Sequence, residues 1–144
     1  MFKTILFPTD FSEISEKALD YIIILKDVGA ETVIILHVVD QRSMQVIDSL
    51  ASMTSHSLER DIMTRAAESM EEIENKLKPH GFEVKPLLKV GFPVREILEA
   101  EKKEDISIIV IGSHGKSNLE EIFLGSVSEK VIRKCKKPVF VIKR

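Results

Sequence analysis

The chain has one cysteine, no tryptophan, one tyrosine and six glycines in 144 residues. With Cys135 alone there can be no internal disulfide, which points to a reducing compartment, and no thiolate pair is available to hold a metal. Net charge is equally scarce. The 21 Lys and Arg stand against 23 Asp and Glu, leaving −2 at neutral pH, so no overall positive field draws the chain to nucleic acid or to an acidic membrane. No apolar run approaches the ~20 residues of a membrane-spanning helix. The apolar stretch after Met1-Phe2-Lys3 is short and Pro8 ends it, so no secretory leader is expected. Repeats and low-complexity linkers are also missing. These absences predict a cytoplasmic globular protein with one domain over 1–144, long enough to bury roughly two-thirds of its unfolded surface.

What is present is alternation. Short apolar runs rich in β-branched residues fall at Thr4–Phe7, Thr32–Val39, Val84–Val90, Ile106–Ile111 and Val139–Ile142. Several are apolar nearly throughout, as strands covered on both faces are. Between them the spacing changes to that of a helix. Ile14, Ala18, Tyr21, Ile22 and Leu25 form one stripe, with Gly29 as its stop, and Leu58, Ile62, Ala66, Met70, Ile73 and Leu77 form another, closed by Pro79 and Gly81. Pro93 opens a third helix with Val94, Ile97, Leu98 and Glu101 in register, and Ser126-Val-Ser-Glu129 reads as a capping box opening a fourth. Strand–helix alternation to the end predicts an α/β fold, a parallel sheet with helices on both faces. The segment 41–57, with Met44, Ile47, Leu50 and Met53 about three residues apart, is expected to be an extra helical piece packed on the sheet edge, or else a lid over a site. Arg133, Lys134, Lys136 and Lys137 lie where the last helix should end, and cations there suit the helix dipole.

Two strand ends carry chemistry. Ile106–Ile111 empties into Gly112-Ser-His-Gly115, and Gly125-Ser126 follows where the last helix begins. Glycine allows close backbone approach, and the free N–H groups of a helix start favour an anion. The loop therefore reads either as a phosphate cradle or as a turn needing its glycines for geometry. Thr4–Phe7 leads into Pro8-Thr9-Asp10. Open α/β sheets bind ligands beyond the carboxyl ends of their strands, where the strand order reverses. If the first and fourth strands are neighbours, Asp10 faces the glycine loop, where it could hold a ribose hydroxyl or a magnesium ion. It could equally cap the first helix in an Asp-x-x-Glu box with Glu13.

Taken together, these segments resemble the universal stress protein family. Ile-Leu-Phe-Pro8-Thr9-Asp10-Phe11-Ser12 is similar to its opening strand and turn. The spacing from Gly112 to Gly115 and on to Gly125-Ser126 matches its pattern of Gly, two residues, Gly, nine residues, Gly-Ser, and Lys137-Pro138-Val139-Phe-Val-Ile142 is similar to its closing strand. The resemblance spans the chain. It implies a five-stranded parallel sheet in order 3-2-1-4-5, a homodimer, and the family's ATP-binding branch. By the same resemblance the phosphate contacts fall on Gly112, Gly115, Gly125, Ser126 and Val127, with Ser128 adjacent. Asp10 matches the ribose-holding residue, flanked by Pro8 and Thr9, and Val38 and Val39 match the backbone bordering adenine. Lys116 fits the usual basic loop position. Glu120 and Glu121 depart from the common pattern, in which basic side chains occupy that stretch; two carboxylates there would weaken binding of a triphosphate unless they point to solvent, which lowers the affinity expected and leaves the site in place.

Other motifs are absent. Gly115-Lys116-Ser117 lacks the glycine a Walker A loop needs at position 110, where Val110 stands. His37, His56, His80 and His114 show no paired metal spacing, and only His114 falls in the candidate loop, beside phosphate rather than as a general base. No nucleophile elbow or carboxylate dyad is visible. The expectation is an adenine-nucleotide-binding regulatory stress protein, a dimeric switch that takes ATP with magnesium and is read by a protein partner, and not an enzyme. A slow magnesium-dependent nucleotide hydrolase and a dimeric scaffold with an unfilled pocket are the alternatives. The apolar terminal strand, placed at the sheet edge by the implied order, is expected to pair with its own copy.

Overall fold

Each apolar run is a strand in the computed structural model, which describes residues 1–50, 55–114 and 124–143. The strands are β1 (Thr4–Pro8), β2 (Thr32–Asp40), β3 (Glu83–Gly91), β4 (Ile108–Gly112) and β5 (Val139–Ile142). All pairings are parallel and the order is β3-β2-β1-β4-β5, as expected. β4 begins two residues later than its apolar pattern. Ser107 intervenes: its amide donates to the Thr4 carbonyl at 2.8 Å and its hydroxyl accepts from the Thr4 amide at 3.1 Å. Ile106 is buried but lies before the ladder.

The helices are α1 (Glu13–Leu25), α2 (Gln41–Leu50), α3 (Ser55–Leu77), α4 (Pro93–Lys103) and α5 (Ser126–Lys134). α1 and α3 each tighten into a single 3₁₀ turn, which Gly29 and Gly81 end at φ 103° and 87°. That left-handed geometry strains any residue with a Cβ, so these two glycines are stops in fact as well as in pattern. α2 follows β2 without a loop. The Asp40 carboxylate accepts the Arg42 amide at 2.9 Å and grips its guanidinium through both oxygens, and this holds the Asp40 carboxyl below its ordinary pKa. The helix packs on β2, on edge strand β3 and on α3, which is the edge-packed helical piece expected of 41–57; residues 51–54 lie outside the described ones.

Sheet pleat sorts the core into two layers. Ile5, Phe7, Val33, Ile35 and Val110 pack with Ile14, Ala18 and Ile22 of α1 and with Met70, Ile73 and Leu77 of α3. Leu6, Ile34, Leu36, Ile109 and Ile111 pack on the other side with Ile97 and Ala100 of α4 and Val131 of α5. Ile5, Leu6 and Phe7 of the central strand have no exposed surface.

One charge is built into this core. Glu101 stands on the apolar face of α4 at 7% exposure, and its Oε1 accepts the backbone amides of Lys136 and Lys137, both at 2.7 Å. It thereby closes the turn between α5 and β5. Burial, and secondarily the Glu101 carboxylate, push the neighbouring Cys135 thiol above its ordinary pKa. Glu101→Ala should leave two amides unpartnered and lower unfolding stability by about 2 kcal/mol. Glu101→Gln, which keeps the accepting oxygen, should retain most of that stability. Urea unfolding midpoints of the two variants check this ordering.

Candidate functional site

β1 connects to β2 on one side, while the crossover from β3 returns to β4 on the other, so the order reverses between β1 and β4. Beyond their carboxyl ends lie the two segments singled out in the sequence. On the β1 side Pro8 and Thr9 are buried and Asp10 is half-buried. The Thr9 amide donates to the Leu36 carbonyl of β2 at 2.9 Å, and its hydroxyl accepts the Phe11 amide at 3.0 Å. The expected capping box of Asp10 with Glu13 does not form. The N-cap of α1 is Ser12, and Asp10 Oδ1 accepts the Ser12 amide at 3.0 Å and stands 3.5 Å from the Ser15 hydroxyl. This is an Asx turn, in which a carboxylate two residues before the cap satisfies the backbone.

On the β4 side two hydrogen bonds clip the start of α5 to the strand end. The Gly125 amide donates to the Ser113 carbonyl at 2.7 Å, and the Ser128 hydroxyl donates to the Gly112 carbonyl at 2.6 Å. The expected capping box over Ser126–Glu129 is corrected as well. Gly125 is the N-cap and gives no side-chain bond, Ser126 is the first helical residue, and Glu129 pairs with Arg133 one turn on. The amides of Ser126, Val127 and Ser128 occupy the first turn, where a helix supplies no acceptor. The Val127 side chain packs on the core, so only its backbone faces outward chemistry. Ser113 and His114 are buried. The Ser113 hydroxyl lies 2.6 Å from His114 Nδ1, and His114 Nε2 finds no partner among the described residues.

Gly112 has a structural reason to be glycine. Its φ is not in the left-handed region; the demand is for space, since a Cβ there would stand 2.7 Å from Ile14 Cγ2. At the end of β2, Val38 packs with the α4–α5 layer and Val39 is buried. Gly115, Lys116, Glu120 and Glu121 lie outside the described residues. No group of three metal-ligating side chains occurs among the described residues. Of the histidines, only His114 was expected at the site, yet the fold brings His37 to the same corner: Nδ1 is 2.8 Å from the Thr9 carbonyl, and its ring meets Phe11 with centroids 4.3 Å apart. The available signal was a polar residue interrupting the apolar run of β2.

A recess of about 620 Å³ lies at the opposite end of the sheet between the last turns of α4 and α5. Lys102, Lys134, Lys136 and Lys137 line it together with Glu104 and Asp105. Arg133 and Lys134 stand in the last turn of α5, where cations suit the helix dipole as expected of that basic cluster. No helix among the described residues is long and apolar enough to cross a membrane.

The Gly112 contact makes a direct prediction. Gly112→Ala drives a methyl into a β-branched side chain that is stiff about χ1, and should destabilise the protein by about 1–3 kcal/mol. Adding Ile14→Ala removes the struck methyl, so the double variant should lose less than the sum of the two singles. A double-mutant cycle from urea unfolding measures this coupling.

Comparison with known proteins agrees with this architecture. The model of the universal stress protein family matches residues 1–143. The universal stress protein MJ0577 of Methanocaldococcus jannaschii is 42% identical, over all of this chain and 96% of its own length. The solved structure of MJ0577 superposes with a TM-score of 0.91 at 45% identity, covering 100% of this chain and 97% of that one. Two more distant structures share the fold. One is a universal stress protein in complex with cAMP (TM-score 0.69, 22% identity, 99% and 97% covered), and the other is an Arabidopsis thaliana family member with AMP bound (TM-score 0.65, 17% identity, 99% and 92% covered). With a family model matched over almost its whole length and this strand order, the chain belongs to the universal stress protein family.

Proposed function

We propose that this protein is a regulatory nucleotide-binding protein that takes ATP, or another adenine nucleotide, with magnesium in the crevice beyond β1 and β4. The observation that carries the reading is the clipped start of α5. The bonds from Gly125 to Ser113 and from Ser128 to Gly112 fix a first helical turn beside the strand-order reversal, where the amides of Ser126, Val127 and Ser128 can face phosphate oxygens. The Gly125 amide is engaged by Ser113, so that glycine would serve by letting phosphate approach rather than by donating. Asp10 would hold the ribose or a magnesium ion, an ion that takes few protein carboxylates and completes its shell with phosphate and water. Pro8, Thr9, Val38 and Val39 would border the base and sugar, and Gly112 and Gly115 would edge the phosphates. Family members solved with cAMP and AMP support adenine nucleotides as the ligand class. Fixed backbone donors at the start of α5 suit retention of a nucleotide. Turnover of ATP above about 1 s⁻¹ by purified protein would instead indicate an enzyme.

Calorimetric titration with ATP and magnesium tests the reading. Gly125→Glu places bulk and like charge at the helix start and should abolish measurable binding while the protein stays folded. Unchanged affinity in that variant would overturn the cradle. Asp10→Ala should weaken binding about tenfold, or about 1.4 kcal/mol, and should lower stability by about 1 kcal/mol through loss of the Asx-turn bond.

Assembly as a homodimer through β5 belongs to the same proposal. The two sheet edges differ. β3 carries Lys85, Pro86 and Lys89, the charges and the missing N–H that discourage edge pairing. β5 is Val139-Phe140-Val141-Ile142, with Phe140 37% exposed and its ring 5.9 Å from that of Tyr21. A two-fold axis perpendicular to β5 would pair this edge antiparallel with its copy. Val141→Lys should then shift the protein to monomer in light scattering. Wild-type protein that is monomeric at micromolar concentration would end the dimer proposal.

A further inference from the structure

Phe11 has φ 62° and is the only non-glycine residue at positive φ among the described residues. A bulky side chain in that region is strained, and such strain persists only where the surroundings over-determine it. Here the surroundings come from two directions. Within the turn, the Thr9 hydroxyl accepts the Phe11 amide and the Asp10 carboxylate accepts the Ser12 amide, both at 3.0 Å. From outside, consecutive residues of β2 hold Thr9 at both of its backbone groups. The Leu36 carbonyl accepts the Thr9 amide at 2.9 Å, and His37 Nδ1 donates to the Thr9 carbonyl at 2.8 Å. The imidazole also lies against the Phe11 ring, at 4.3 Å between centroids and 33° between planes. His37 thus touches the turn on either side of Asp10, at the carbonyl before it and the ring after it.

We infer that His37 is a positioning residue, clamping the strained Thr9–Phe11 turn so that the Asp10 carboxylate is held in one orientation. A carbonyl cannot donate, so the contact requires a proton on Nδ1, and an N–H stands there in the neutral Nδ1–H tautomer and in the imidazolium alike. The effect on nucleotide binding rests on the proposed role of Asp10, whereas the clamp itself does not. A carboxylate free to swing among rotamers must be ordered when a ligand arrives, and a turn fixed beforehand removes that loss.

Two variants separate the parts of the clamp. His37→Phe keeps a ring against Phe11 and removes the Nδ1 donor, while His37→Asn keeps a donor near the position of Nδ1 and removes the ring. Amide hydrogen exchange is read at Phe11 and Ser12, with Val33 and Ile35 of β2 as internal references, and ATP affinity is measured alongside. For His37→Phe the expected result is about tenfold faster exchange at Phe11 and Ser12 with the references unchanged, the signature of local opening. ATP affinity should fall by a similar factor, and His37→Asn should recover most of both. Exchange at Phe11 and Ser12 as slow as in wild type would overturn the clamp. So would equal acceleration at all four amides, which would mark a merely structural role. A wild-type protein that binds no ATP would refute the nucleotide reading, and the exchange data would still decide the clamp.

Discussion

The burial of β1 on both faces is the constraint on which the rest of the molecule depends. Ile5 and Phe7 point into the α1–α3 layer and Leu6 into the α4–α5 layer, so the first strand can stand only in the middle of the sheet. Parallel pairing with right-handed crossovers then leaves few ways to continue. The chain builds outward to β2 and β3, and must return across the sheet to start β4. That return changes which face the helices cover. It also opens the crevice between the carboxyl ends of β1 and β4, where the strand order reverses.

The two walls of this crevice are held by different contacts. On the β4 wall a backbone bond and a serine hydroxyl fasten the first turn of α5 to the strand end, and the missing side chain of Gly112 lets Ile14 of α1 close in from behind. On the β1 wall the turn holds a left-handed phenylalanine with hydrogen bonds from Thr9, Asp10 and β2. Under the proposed function, contacts of this kind would set donors and carboxylate beforehand and spare a ligand part of the entropy of ordering its site. At the opposite end of the sheet the same economy appears in Glu101, whose single oxygen serves two amides and fixes where β5 begins.

Much of this was legible in the residue pattern. The switch between nearly continuous apolar runs and helical spacing located the strands and helices, because both-face burial demands apolar residues almost throughout while a one-sided helix demands a stripe. The spacing of Gly112, Gly115 and Gly125 and the Pro8-Thr9-Asp10 turn marked the two strand ends that the fold brings together. The caps were less legible. Asp10 with Glu13 and Ser126 with Glu129 both satisfy the capping pattern, yet Ser12 and Gly125 occupy the cap positions. Local side-chain chemistry permits several neighbouring starts for a helix, and the packing of α1 and α5 against the sheet selects among them.

The sequence by itself determined the strand order's raw material, the positions of the apolar runs and the chemical character of each strand end, since these follow from periodicity and residue type over a few neighbours. Only the tertiary structure decided what the single polar residues inside those patterns do. His37 breaks an apolar strand and Glu101 breaks an apolar helix face. Nothing within four residues of either says that one meets the Thr9 carbonyl 28 residues away and the other the amides of Lys136 and Lys137, 35 and 36 residues away. A buried polar group must find a partner. Which partner it finds is set by the strands and helices that the whole fold lays beside it.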